Sequence, residues 1–356
     1  MNKFIMIKTA IVIIFLIFLV PLHAHAEQTG IWTSTGEVAD IPMNNCAWYK
    51  LKRAADSAKP NSAMVSDQDS NNNVEILASA IVYCRTKKRI YKDKVISAIE
   101  KLVSKGKPSM DTLAWSRETG AYVMAADLVD YRTAAFEDWC RKMAEVWVAS
   151  DGRTMLRTFK ERPNNWGAHA FASLSAIYAY LHDYNRLNEI RNFWIQAVIG
   201  PKPKETKYGS DLSWHVVQKQ LRLINPINSY KNGMNIDGII PDDMRRGGAF
   251  SNPPGYTWYP WEHLQGLVAA ARILDRMGMS IWEVDNKAIY RAAYALQVRL
   301  GQNCEDWKAD GDDEWLLPFL DEAYGTNWSS AYDPCSSRVY RNGKNAGWGW
   351  TTLMSN

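Results

Sequence analysis

The sequence predicts an all-α fold in a single domain, and three observations predict it. Apolar residues recur at helical spacing almost throughout the chain after Asn45, and alternating-period strands are scarce. No internal repeat with a period of roughly 34–47 residues marks an open solenoid. At typical helix lengths of about 11–12 residues, the chain holds about ten to fourteen helices in antiparallel hairpins. An (α/α) toroid, an incomplete barrel of helical hairpins over residues 27–356, is the leading architecture. A multi-helix layered fold is the alternative.

The elements follow in order. Residues 1–26 read as a signal peptide: Lys3 and Lys8 give a basic start, an apolar run extends from Ala10 to Leu22, and Ala24-His25-Ala26 is a small-x-small cleavage pattern. That run, about 13 residues, is short of the ~20 a membrane span needs; an uncleaved anchor is the alternative. The mature chain is then exported, periplasmic or secreted, with no membrane span, and is expected to be a monomer. Helical spacing appears in Val74, Leu77, Ile81 and Cys84, then in Val95, Ile99 and Leu102. It continues in Phe171, Leu174, Tyr178 and Leu181, and in Leu187, Ile190, Trp194 and Val198. Leu264 to Leu274 and Ile289 to Leu296 complete the set. Clusters such as Lys105-Gly-Lys-Pro and Asn252-Pro-Pro-Gly separate the helices.

Composition narrows the function. The chain is 47% hydrophobic and 22% charged, which excludes a disordered protein. Its 42 basic and 38 acidic residues give +4, and loss of Lys3 and Lys8 leaves +2. That is no footprint of a nucleic-acid binder. None of the five cysteines forms a CxxC pair, so a zinc cage or dithiol redox site is not expected. Cys304 with Cys335, and then Cys46 with Cys84, are the expected disulfides; Cys140, on an apolar helix face, reads as buried and inert.

Two segments carry candidate chemistry. In Arg162-Pro-Asn-Asn-Trp-Gly-Ala-His169, Asn164 and Asn165 fall at a helix N-terminus, whose free N–H groups suit a carboxylate. His169 shares the face of Asn165; a helix cap and a core histidine are the structural alternative. In the second segment, Arg245 and Arg246 precede Tyr256, Trp258, Tyr259 and His263 in an irregular loop, with Pro260 suited to the first turn of the next helix. His215 is expected on an intervening helix, Ser210-Asp-Leu-Ser-Trp-His. Sixteen tryptophans, some near these loops, offer flat faces to sugar rings, although most belong to the core.

These residues resemble the alginate-lyase superfamily of polysaccharide lyases. The likeness rests on Asn164-Asn165-Trp166-Gly167 before a helix, on Asp237-Gly-x-Ile-Pro241 leading into Arg245-Arg246, and on Tyr256-x-x-Tyr259 followed by a helix. It covers about residues 110–300. The resemblance implies that Asn165 neutralises the substrate carboxylate with Arg245 or Arg246, and that Tyr256 is the catalytic tyrosine. Trp166 stands where the family has a histidine, so the imidazole would come from His169 or His215, a departure similar to the glucuronan and alginate lyases of family thirty-eight. The implied reaction removes the C5 proton of an acidic polysaccharide and expels the C4 oxygen, with no metal or cofactor. An adjacent Arg and the helix dipole are expected to lower the Tyr256 phenol. Asn164, Trp166, His169, Arg245, Arg117, Glu118, Trp258, Tyr259 and His263 are the expected substrate-binding residues.

Two other classes compete. A glycoside hydrolase on a similar helical barrel would use two carboxyl groups from Glu118, Glu262, Asp312, Asp313 and Glu314. A non-catalytic polysaccharide-binding or secretion protein would give Tyr256 no special role.

Overall fold

The structure, a computed structural model, describes residues 30–63, 65 and 71–333; residues 1–26, Cys335, Trp348 and Trp350 lie outside them. Among the described residues the α-helices are α1 (Thr35–Ala39), α2 (Cys46–Ser57), α3 (Asn72–Thr86), α4 (Arg89–Lys105), α5 (Thr112–Leu128), α6 (Ala134–Arg141) and α7 (Met155–Glu161). They continue with α8 (Asn165–Tyr180), α9 (Tyr184–Ile199), α10 (Pro241–Met244), α11 (Tyr259–Arg276), α12 (Val284–Tyr294) and α13 (Leu317–Tyr324). A two-stranded hairpin, Tyr230–Lys231 against Met234–Asn235, interrupts the connection between α9 and α10. The all-α class expected from the sequence holds.

The helices pack in a row, α2–α3–α5–α8–α11. The middle of that row is covered on nearly every side: 15 of the 16 residues of α8 and 16 of the 17 of α5 are buried. A helix enclosed in this way needs no polar stripe, which is why α5, unlike its neighbours, gives no amphipathic signal. The helices α5, α8 and α11 run in the same direction. At one end Arg117, Asn165 and Glu262 are bonded together. At the other, the Ile31 amide donates to Asp127 of α5 and Arg276 of α11 donates to the Gly30 carbonyl. The contacts establish this parallel row.

Contact between α8 and α11 is set by Gly266. A Cβ at that position would lie 2.3 Å from the Ala168 carbonyl carbon and 2.4 Å from the His169 nitrogen. Only a residue without a side chain lets the two backbones meet, and their meeting brings the first turns of both helices face to face.

Two expectations are corrected here. The segment Ser210–His215 is a run of bends and turns, not a helix. Asp211 caps the Ser213 amide at 2.8 Å, a turn that competes with helix. Neither expected disulfide forms. Cys84 is a buried free thiol that donates to the Leu128 carbonyl at 3.2 Å, and Cys304 is an exposed free thiol. Cys46 is disulfide-bonded, and Cys140 is free and buried.

Candidate active site

The site grows from the N-terminal ends of α8 and α11. Asn164 caps α8, its Oδ1 accepting from the Trp166 amide at 3.2 Å. Gly167, two residues into the helix, has no room for a Cβ against the Arg162 carbonyl. Asn165 opens α8 and is 1% exposed. Its amide donates to Asp243 Oδ1 at 3.1 Å, and its Nδ2 to Glu262 Oε2 at 2.7 Å. Glu262, in the first turn of α11, also accepts from Arg117 Nη2 at 2.5 Å. The chain's own carboxylates therefore occupy the positive ends of these helices.

Asp243 sits under this layer. It is fully buried and shares Oδ2 with His263 Nδ1 at 2.8 Å. Burial pushes its carboxyl up to about 6, against the pull of His263. His169, one turn into α8, is buried too, and its Nε2 has no partner. Burial, with Arg117 and His263 nearby, holds its pKa well below the ordinary imidazole value, so the ring is neutral at pH 7.

The α10 segment joins this core to its surroundings. Asp242 holds Arg245 at 2.8 and 3.3 Å and accepts from the Gly209 amide at 2.8 Å. His215 is 2% exposed, and burial lowers its pKa to about 4. The Tyr208 ring stands edge-on to it at 4.9 Å.

The outer surface is aromatic. Arg246 is exposed, its guanidinium 4.0 Å over the Tyr259 ring and 2.8 Å from the Tyr259 hydroxyl. Trp258, 53% exposed, stacks on Tyr259 at 5.6 Å. The backbones at Gly247 and Gly255 cross so closely that a Cβ on either would sit within 2.4 Å of the other's carbonyl oxygen. That crossing fixes the Arg246 loop beside Tyr256, which is 47% exposed and rests edge-on against Trp307 at 5.3 Å.

A sequence model of the family Alginate lyase matches residues 54–307, more than two thirds of the chain. The chain belongs to the alginate lyase family. It is thereby a polysaccharide lyase, a class that cuts by elimination. A search of curated proteins finds no match.

The lyase brings its sequence-expected residues together unevenly. Asn165, His169, His263 and Arg117 form one buried cluster with Glu262 and Asp243. His215 and Arg245 flank it through Asp242. Arg246, Tyr256, Trp258 and Tyr259 form the exposed face, and Trp166 packs under Arg162 at 4.4 Å. Glu118 is 1% exposed inside α5. The expected lowering of the Tyr256 phenol is reversed. Partial burial and then Asp313, Asp306 and Asp310 push it up, because Arg246 lies on Tyr259 instead. Sequence reading missed Asp243 and Gln265, and took Glu262 and Asp313 only as hydrolase candidates. The one advance signal for Asp243 was an acidic pair in the first turn of a helix opened by Pro241.

Proposed function

We propose that this lyase cleaves a uronic-acid-containing polysaccharide by β-elimination at the face formed by Arg246, Tyr256, Trp258 and Tyr259. The observation that carries the reading is that face itself, an exposed arginine–aromatic surface directly beside the buried charged cluster of α8 and α11. Trp258 and Tyr259 offer flat rings to a sugar. Of the two candidate arginines, Arg245 is tied to Asp242 and Arg246 is exposed, so Arg246 is the cation assigned to the uronate carboxylate. Neutralising that charge makes the C5 proton acidic, the largest electrostatic contribution to such a reaction.

The raised phenol of Tyr256 suits the acid role, giving its proton to the departing C4 oxygen. The C5 proton goes to a neutral imidazole. His215 is assigned that role over His169 because it is less deeply set. Asn165, Arg117, Glu262, His263 and Asp243 act as positioning residues that fix the first turns of α8 and α11. The leader-like residues 1–26 support export to the periplasm or beyond.

Ultraviolet absorbance of the purified protein with polymannuronate, polyguluronate, glucuronan and glucuronate-bearing exopolysaccharides tests the reading. Absorbance from an unsaturated end is expected, and Tyr256→Phe is expected to lose roughly 10²–10⁴ in turnover with an intact fold. New reducing ends without absorbance would transfer the case to a hydrolase.

A further inference from the structure

The surroundings of Tyr256 are electrostatically two-sided. On one side, across the Gly247–Gly255 crossing, lies exposed Arg246. On the other runs the chain from Cys304 to Glu314, tied to α11 by the Trp261 indole donating to the Trp307 carbonyl at 2.8 Å. Asp306 and Asp310 are exposed on this stretch, and Asp313 is half-buried, its carboxyl held well above the ordinary carboxylate range by burial and the neighbouring Asp312. The Tyr256 ring rests edge-on against Trp307 of this same stretch at 5.3 Å, and partial burial, then Asp313, Asp306 and Asp310, push its phenol up.

Gln265 supplies an independent observation. It is 2% exposed and ends at this wall, its Nε2 donating to Asp313 Oδ1 at 2.7 Å and to the Asp312 carbonyl at 3.3 Å. Its Oε1 is buried without a partner. The Asp312 carbonyl can only accept, which favours Nε2 rather than Oε1 on that side. Exposed Asp306 and Asp310, with an unpaired amide oxygen behind them, present acceptors, and their complement is a hydrogen-bond donor.

We propose that this acidic wall is a subsite for a sugar without a carboxylate, one presenting hydroxyl or amine donors. The polymer cleaved then alternates a uronate, on the Arg246 side, with a neutral or amino sugar on the Asp306–Asp313 side. This inference rests on the lyase reading above and narrows its substrate. In a homopolyuronate every unit carries a carboxylate, so the unit beside the reacting one would face Asp306 and Asp310. Like-charge juxtaposition of that kind suppresses wrong partners.

The test compares kcat/KM, read as unsaturated product, on polymannuronate and glucuronan against an alternating glucuronate–N-acetylglucosamine polymer and its de-N-acetylated form. The alternating polymers are expected to exceed the homopolymers by at least about tenfold. The faster of the two alternating forms tells an amine donor from a hydroxyl. Asp306→Asn combined with Asp310→Asn, both outside the catalytic face, is expected to raise kcat/KM on the homopolyuronates several-fold. Homopolyuronates cleaved equally well or better, or a double variant with unchanged preference, overturns the inference and leaves the lyase reading standing. Absence of unsaturated product from every polymer removes the lyase reading, and this inference falls with it.

Discussion

Replacing Gly266 with alanine tests the link between packing and catalysis. The added Cβ would stand 2.3 Å from the Ala168 carbonyl carbon, 2.4 Å from its oxygen and 2.4 Å from the His169 nitrogen. All three are backbone atoms, so no side chain can swing aside. Restoring ordinary contact at about 3.5 Å requires α8 and α11 to separate by roughly 1 Å. Overpacking of this kind costs about 1–3 kcal/mol, and the better helix propensity of alanine returns up to ~1 kcal/mol. A net loss of about 1–2 kcal/mol should appear as a lower denaturation midpoint at unchanged slope. Activity should suffer more. The same separation pulls Glu262 from Asn165 and strains Asp243 between its bonds to Asn165 of α8 and His263 of α11, and a displacement of about 1 Å can cost roughly 100-fold in rate. Gly36→Ala is the control, because the nearest atom to a Cβ there is Ser34 Oγ at 3.7 Å. A Gly266→Ala protein with the native midpoint and turnover would refute the argument.

Three further outcomes follow from the same geometry. Glu262→Ala leaves Arg117, 3% exposed, as a buried cation without its carboxylate, and should cost about 3 kcal/mol in a melting experiment; Arg117→Met combined with Glu262→Met should recover much of that loss. His215 has a folded pKa of about 4 against 6.5 in a free imidazole, so below pH 6.5 the unfolded chain takes the proton first. Stability contributed by the neutral ring is complete above that pH and declines toward pH 4. The difference in unfolding free energy between wild type and His215→Gln should therefore change between pH 6.5 and 4, with a slope of at most about 1.4 kcal/mol per pH unit; parallel curves contradict the burial argument. Among Cys84, Cys140 and Cys304, only exposed Cys304 should react with a thiol reagent in the native protein. Burial raises the Cys84 thiol to about 11 and the Cys140 thiol further, so labelling of either before unfolding would contradict their packing.

Much of the fold was legible because most helices present one face to solvent. Val95, Ile99 and Leu102 mark α4, and Leu187 to Val198 mark α9, through the contrast between apolar and polar positions. The innermost helix α5 lacks that contrast and was not read. A run of six residues ending at His215 was read as helix because its polar positions resemble a helix start, yet the Asp211 turn satisfies the backbone locally. Disulfide pairing was illegible for a similar reason. It depends on which helices are neighbours, and Cys84 faces Leu128 across the α3–α5 contact.

The candidate site divides along a physical line that the residue types do not reveal. Asn165, Arg245 and His263 carry chemistry that suits an acidic substrate, but each already has a side-chain nitrogen bonded to a carboxylate inside the protein. Asn165 is committed to Glu262 and Asp243, Arg245 to Asp242, and His263 to Asp243. A group whose donors are taken by buried carboxylates reaches a ligand only by breaking those bonds, at a cost of about 1–3 kcal/mol for each buried partner left bare. Arg246 and Tyr256 are placed differently. Arg246 is exposed and bonded to a tyrosine hydroxyl, and Tyr256 is half open to solvent beside a wall of acceptors. The motif around Asn164–Gly167 thus specifies where two helices meet, and the less regular stretch from Arg246 to Tyr259 supplies the exposed arginine and aromatic rings. Variants of the first group should lose stability and activity together, whereas variants of the second should lose activity alone.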